Sequence, residues 1–248
     1  MSGHSKWANI KRRKGAQDAK RGAVFTKIIR ELTVAARMGG ADIDANPRLR
    51  SALAKAKGAS MPRDTIQRAI DKGAGALSGE NYEEIVFEGY GVGGVAIIVE
   101  CLTDNRNRTT GDIRFAFTKY GGNLGTNGCV SYMFSRKGVI RVPAEGVDED
   151  ELLMAALDAG AEDMSNEGDV FEITTAMTDL YACATAIQEA GFETSAAELT
   201  YLPGTMAEVS GKHAQTLLKM VDVLEEHDDV QNVYTNADFD EETLAELG

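Results

Sequence analysis

The spacing of hydrophobic positions changes along the 248-residue chain, and each change marks a different kind of element. From about Gln17 to Met38, Phe25, Ile28, Ile29, Leu32 and Ala36 recur at i, i+3, i+4 and i+7. That is one stripe of an amphipathic helix, stopped by Gly39-Gly40. Asn46-Pro47 starts a second helix, with Asn as N-cap and Pro in the first turn. Its Leu49, Leu53 and Ala56 face inward, and Arg48, Arg50, Lys55 and Lys57 are expected to face out. A third helix is predicted from about Pro62 to Lys72 on Ile66 and Ile70, ended by Gly73.

After a linker at 74–81 (AGALSGEN) the pattern turns strand-like, in Ile85–Glu88 and Val95–Leu102, joined by GYGVGG. This stretch leads into a strand instead of a helix, so no helix N-terminus would cradle a phosphate and a hairpin turn is the better reading. A helix follows DNRNRT, with Ile113, Phe115 and Phe117 in its body. The loop GGNLGTNG then leads to a strand predicted at Cys129–Phe134. Between 138 and 202 come a strand (Val139–Val142), a helix (Glu149–Ala159), two strands (about Ala161–Met164 and Val170–Thr174), a helix (Leu180–Ala190) and a strand (Ala197–Tyr201). That βαββαβ order is ferredoxin-like. The tail adds a helix on Leu217, Leu218, Val221 and Leu224, and a strand at Val230–Tyr234. The expectation is an α+β chain: an N-terminal three-helix domain plus two ferredoxin-like α+β domains, one inserted in the other. The expected boundaries are 1–79 for a basic helical domain, 80–136 with 203–248 for a discontinuous middle domain, and 137–202 for an inserted acidic domain whose ends lie close together.

Charge changes the picture. The chain is net −13, yet residues 1–72 carry 17 Lys+Arg against 6 Asp+Glu, a net of +11. Residues 73–141 balance at 7 and 7, and 142–248 carry 2 against 26. A partner senses the local potential, because charges a Debye length apart are largely screened. A basic head and an acidic tail therefore read as a polyanion-binding module joined to parts that do other work. Candidate nucleic-acid contacts are Lys6, Lys11, Arg12, Arg13, Lys14, Lys20, Arg21, Lys27, Arg30, Arg106 and Arg108. Lys20, Lys27, Arg30 and Arg37 fall on a helix face distinct from the apolar stripe. Arg106 and Arg108 sit at a helix N-terminus, where the dipole disfavours cations by about 0.3–1 kcal/mol each. Two readings stand for them: contact with a phosphate, with Arg114 alongside, or pairing with Asp104 or Asp112. Residues 1–14 read as a basic arm, flexible or ordered on a partner. Within it Trp7 either stacks on a base or anchors the arm on the following helices, the anchor being preferred. His4 has no second ligand at metal spacing.

No catalytic grouping stands out. His4, His213 and His227 are scattered, and no Walker A, HExxH or EF-hand spacing occurs. No enzyme activity, cofactor or metal is expected. Cys101, Cys129 and Cys183 form no CxxC pair, which fits a reduced, cytoplasmic setting. The N-terminus has no apolar signal region, and the longest apolar run, Val95–Val99, is far too short to span a bilayer. The acid run Glu225, Glu226, Asp228 and Asp229 reads as a solvated helix end.

GHSKWANIKRRK, FTKIIREL, DANPRLR, MPRDTIQRAI, EGYGVGG, DNRNRT and GGNLGTNGCVSYMF resemble the YebC/PmpR family of probable transcriptional regulatory proteins. Its bacterial members are similar to the mitochondrial translational activator of cytochrome c oxidase. The resemblance is dense through residue 134 and runs more by pattern from about Pro143 on. It implies a three-domain cytoplasmic protein, helical first and α+β after. It also implies a nucleic-acid-binding regulator of gene expression, foremost a DNA-binding transcriptional regulator. The alternative is a ribosome-associated translation factor that grips ribosomal RNA. The expected partners are DNA or ribosomal RNA, the ribosome, and a protein partner for the acidic domains, with no membrane.

Overall fold

The computed structural model describes residues 21–75 and 82–240. Three helices come first: α1 (Arg21–Gly39), α2 (Pro47–Gly58) and α3 (Arg63–Gly73). Leu32, Ala35 and Ala36 of α1 pack against Leu49, Ala52 and Ala56 of α2 and Ile66, Ala69 and Ile70 of α3. Asn46 sets the α1–α2 corner. Its Oδ1 accepts the Leu49 N–H at 3.0 Å, while Nδ2 donates to the Ala35 and Gly40 carbonyls at 2.8 Å each. One side chain thus caps the second helix and closes the first. The α1–α3 contact is close enough to need glycine: a Cβ on Gly73 would strike the Thr33 carbonyl and lie 2.8 Å from Ala36 Cβ.

The discontinuous sheet follows. Strands β1 (Glu83–Tyr90) and β2 (Ala96–Thr103) form the expected hairpin. Helix α4 (Arg106–Lys119) leads to the short β3 (Asn123–Leu124). Beyond the second unit, β8 (Ala207–Val209), α7 (Gly211–Glu226), β9 (Val230–Thr235) and β10 (Ala237–Phe239) return to this part of the chain. The sheet order is β3-β1-β2-β9, antiparallel throughout, and β8 and β10 form a small parallel pair. Ile113 and Phe117 of α4 and Leu217 and Val221 of α7 join Phe87, Ile97 and Val99 in one core.

The chain divides into two compact units, residues 134–204 and the remainder. The 134–204 unit runs β4 (Phe134–Pro143), α5 (Glu149–Asp158), β5 (Asp163–Asn166), β6 (Val170–Thr175), α6 (Leu180–Glu189) and β7 (Ala196–Pro203). Its antiparallel order β5-β6-β4-β7 is the ferredoxin-like arrangement. Ile140, Leu152, Ile173, Leu180 and Ile187 form its core.

The strand expected at Cys129–Phe134 does not form. Residues 131–133 make a single 3-10 turn, and Phe134 instead opens β4, one ten-residue strand. The reason is a tertiary contact: the buried Glu88 carboxylate accepts the N–H groups of Gly128 (2.8 Å), Val130 (3.0 Å) and Ser131 (2.8 Å). Those donors are then withheld from any ladder.

Candidate nucleic-acid interface

Lys6, Lys11, Arg12, Arg13, Lys14 and Lys20, with His4 and Trp7, lie outside the described residues, and Arg21 opens α1. The other two candidates on α1, Lys27 and Arg30, point toward the sheet. Lys27 donates to the Glu225 carbonyl. Arg30 donates to the Asp228 carbonyl and to Asp229 Oδ1, each at 2.5 Å, and its guanidinium lies 5.6 Å from the centre of the Tyr82 ring.

Asp229 is the hub of this contact and is only 2% exposed. This corrects the expectation of a solvated acid run: the chain turn after α7 carries Asp229 inward. Its Oδ2 accepts from Arg108 at 2.8 Å, Thr109 Oγ1 at 2.6 Å and Thr103 Oγ1 at 3.2 Å. Burial pushes the carboxyl pKa up. The hydrogen bonds from Arg108 and Thr109 and the charges of Arg30 and Arg108 outweigh it and hold the group at about 2. Arg108 also reaches Asp104 at 2.8 Å, and these two acids hold its guanidinium above the usual range. Arg106 faces Glu83 at 3.3 Å, both exposed, while Asp112 meets His227 Nε2 at 3.2 Å. Arg48, expected outward, is instead clamped by Glu31 at 2.7 and 3.0 Å and by Glu84 at 2.5 Å. Of the sequence candidates, then, the structure brings Arg30 and Arg108 onto one buried carboxylate and leaves Arg106 apart from them.

The outward cations of the helical region are different ones. Arg37, Arg50, Lys55, Lys57, Arg63 and Arg68 are exposed. Arg63 and Arg68 are not among the sequence candidates, although their offset from Ile66 and Ile70 on a 3.6-residue repeat is the available signal. α2 and α3 are joined by four residues, 59–62. Ser60 takes a left-handed φ of 56°, and the Met61 side chain is buried. The sequence on its own shows no clear helix-turn-helix here; the four-residue connection has the length such a unit uses. α3 presents Arg63, Gln67 and Arg68 outward, together with Asp64. Gln67 Nε2 donates to Asp71 at 2.8 Å.

A basic helical head ion-paired to an α+β sheet, with a ferredoxin-like acidic unit inserted in that sheet's chain, is the class of architecture these elements define. No helix among the described residues is long and apolar enough to cross a membrane. Residues 5–76 match the family model described as the TACO1/YebC protein N-terminal domain, and residues 82–237 match that of the TACO1/YebC second and third domain. The chain belongs to the TACO1/YebC family. It is 57% identical to a probable transcriptional regulatory protein of Pseudomonas fluorescens, covering all of both chains. It is 55% identical to one from Desulforapulum autotrophicum over 98% of each. The crystal structure of a conserved hypothetical protein from Aquifex aeolicus superposes with a TM-score of 0.83 at 48% identity, covering 90% of this chain and 93% of that one.

Proposed function

We propose that the chain is a nucleic-acid-binding regulator of gene expression, foremost a DNA-binding transcriptional regulator acting in the cytoplasm. The observation that carries this reading is the charge of the N-terminal part of the chain, +11 over residues 1–72 in a chain of net −13. Phosphate neutralisation by such a patch supplies sequence-independent affinity. The α2–turn–α3 unit, with Arg63, Gln67 and Arg68 outward, supports base-edge contact in a major groove. The names of the relatives support transcription as the process regulated. The residue 134–204 unit holds 15 Asp+Glu against 3 Lys+Arg. It is repelled by a polyanion and suits a basic protein partner. Buried thiols at Cys101 and Cys183 suit a reduced compartment: burial above all pushes Cys101 to about 12, where it is unreactive.

Fluorescence anisotropy of labelled duplex DNA against the full chain, across a salt series, tests the reading. Binding should weaken with salt along a straight log–log line. Arg63→Ala with Arg68→Ala should flatten its slope by about 0.9 for each phosphate no longer neutralised. No salt-dependent binding to DNA or RNA would refute it. A second reading, a ribosome-associated translation factor, is favoured by the exposed rings of Phe115 and Tyr132, which find no open base to stack on in a duplex. Salt-sensitive sedimentation with ribosomes, together with weak duplex affinity, would select it.

A further inference from the structure

We propose that α4 and the loop after it carry a second nucleic-acid site, one that takes unpaired nucleobases by stacking. It rests on the nucleic-acid reading above and adds a ligand class to it. α4 turns Ile113, Ala116 and Phe117 into the core, yet Phe115 on the same helix is 66% exposed and Tyr132 beyond the loop is 76% exposed. Neither ring contributes its burial to the fold, where a large side chain is worth about 1.5–3 kcal/mol.

Cationic and polar side chains lie along the same segment. Lys119 Nζ lies 5.8 Å from the Phe115 ring centre and 5.3 Å from that of Tyr120. Arg114 is exposed one residue before Phe115, and the acid on that turn, Asp112, is occupied by His227. Asn123, Thr126 and Asn127 offer exposed donors and acceptors along the loop. No aliphatic residue between 106 and 133 is among the exposed large hydrophobics, which are otherwise found elsewhere in the chain. A protein-docking surface would be expected to surround its aromatic anchors with apolar contact, whereas stacking platforms for single strands pair aromatic faces with cations.

The loop that leads to Tyr132 is also held in advance. The Gly122 N–H bonds the Phe117 carbonyl at 2.8 Å, and the Gly125 N–H bonds the Glu88 carbonyl at 2.8 Å. The Glu88 carboxylate, 6% exposed, takes the three amides of Gly128, Val130 and Ser131. Tyr90 Oη donates to the Cys129 carbonyl at 3.0 Å. A ring seated on a fixed loop gives up little entropy when a base stacks on it. Bases inside a duplex present no free face, so the ligand is single-stranded or carries splayed-out bases.

The test uses the full chain and fluorescein-labelled oligo-U and oligo-dT of about 12 nucleotides, within single-strand site sizes, beside a duplex of equal length. Phe115→Ala and Tyr132→Ala should each weaken single-strand binding roughly 5- to 150-fold, the range measured per stacked base. Duplex affinity and the salt slope should stay unchanged, and Phe115→Trp should retain binding. Both positions are exposed, and circular dichroism melts check that the variants fold. A preference for oligo-U over oligo-dT or the reverse names the sugar, and either supports the site. An equal loss on duplex, or a change under about twofold on single strands, overturns it. So does abolished ribosome sedimentation with unchanged oligonucleotide affinity, which would make the rings a protein contact. If the wild-type chain binds duplex but no single strand, this site fails while the regulator reading stands. If it binds no nucleic acid at all, both fail.

Discussion

Replacing Asp229 with Asn should loosen the helical head from the sheet. The perturbation keeps the shape and removes the charge that Arg30 and Arg108 share. The carboxyl falls from 3.8 to about 2 in the folded protein. At 1.36 kcal/mol per unit this is a preference of roughly 2 kcal/mol for the ionised form. Breaking a buried pair typically costs about 3–5 kcal/mol, because the surviving charge is left uncompensated. Here Arg30 keeps the Asp228 carbonyl, although its Nε has no partner among the described residues, and Arg108 keeps Asp104. The expected destabilisation is therefore about 2–3 kcal/mol, below that range. At about 2–4 °C per kcal/mol for a body of this size, Tm should fall by about 4–12 °C. Urea denaturation at pH 7 of wild type, Asp229→Asn, Arg30→Met and the double variant supplies the coupling energy. A coupling under about 0.5 kcal/mol would refute the shared-charge account. The sign with pH is fixed: the folded pKa is depressed, so this stability is complete above pH 4 and is lost as pH falls from about 4 through 2. Asp229→Asn should lack that component of acid sensitivity.

Glu88→Gln should cost about 1–3 kcal/mol, since an amide oxygen cannot serve three backbone donors as a carboxylate does. Hydrogen exchange at Gly128, Val130 and Ser131 should speed up before the rest of the sheet does. Burial raises the Glu88 pKa, but those three amides lower it further, so protection there should persist below the usual carboxylate range and fail on deeper acidification. Gly73→Ala should destabilise the head by roughly 1–3 kcal/mol, the overpacking range, because its Cβ would meet the Thr33 carbonyl. Thermal melts followed by helical circular dichroism read this out, and an unchanged Tm would show that α3 shifts freely.

What the sequence revealed follows from how local each determinant is. The α1 stripe, the Asn46 cap and the βαββαβ order rest on contacts within one element or between neighbours, and residue spacing encodes them. The destination of a charged side chain is not encoded that way. Lys27 and Arg30 occupy a polar face of α1 by periodicity, yet their partners lie about 200 positions later, at Glu225, Asp228 and Asp229. Likewise CVSYMF has the composition of a strand, and only the fold shows that Glu88, some 40 residues earlier, takes its Val130 and Ser131 amides. Strands β8 and β10 have three residues each, too few for any period to register. Arg106 and Arg108, open to two readings by sequence, are paired with acids in the structure.

The inward use of cations bounds what the head can do as a polyanion grip. The six outward cations described on α1 to α3, Arg37, Arg50, Lys55, Lys57, Arg63 and Arg68, set a ceiling near 5 on what these three helices contribute to the log–log salt slope, at about 0.9 per neutralised phosphate. Arg50 already donates to the Ile43 and Asp44 carbonyls at 3.0 and 2.7 Å, so the realised value should be lower. Residues 1–20 add Lys6, Lys11, Arg12, Arg13, Lys14 and Lys20. A slope steeper than about 5 on duplex DNA thus requires cations beyond α1 to α3, and that segment holds the densest run of them. Changing Lys11, Arg12, Arg13 and Lys14 to Ala together should then flatten the slope by as much as about 3.6. If the slope instead stays unchanged, the grip lies in the folded helices, and the Arg63 and Arg68 pair becomes the limiting contact.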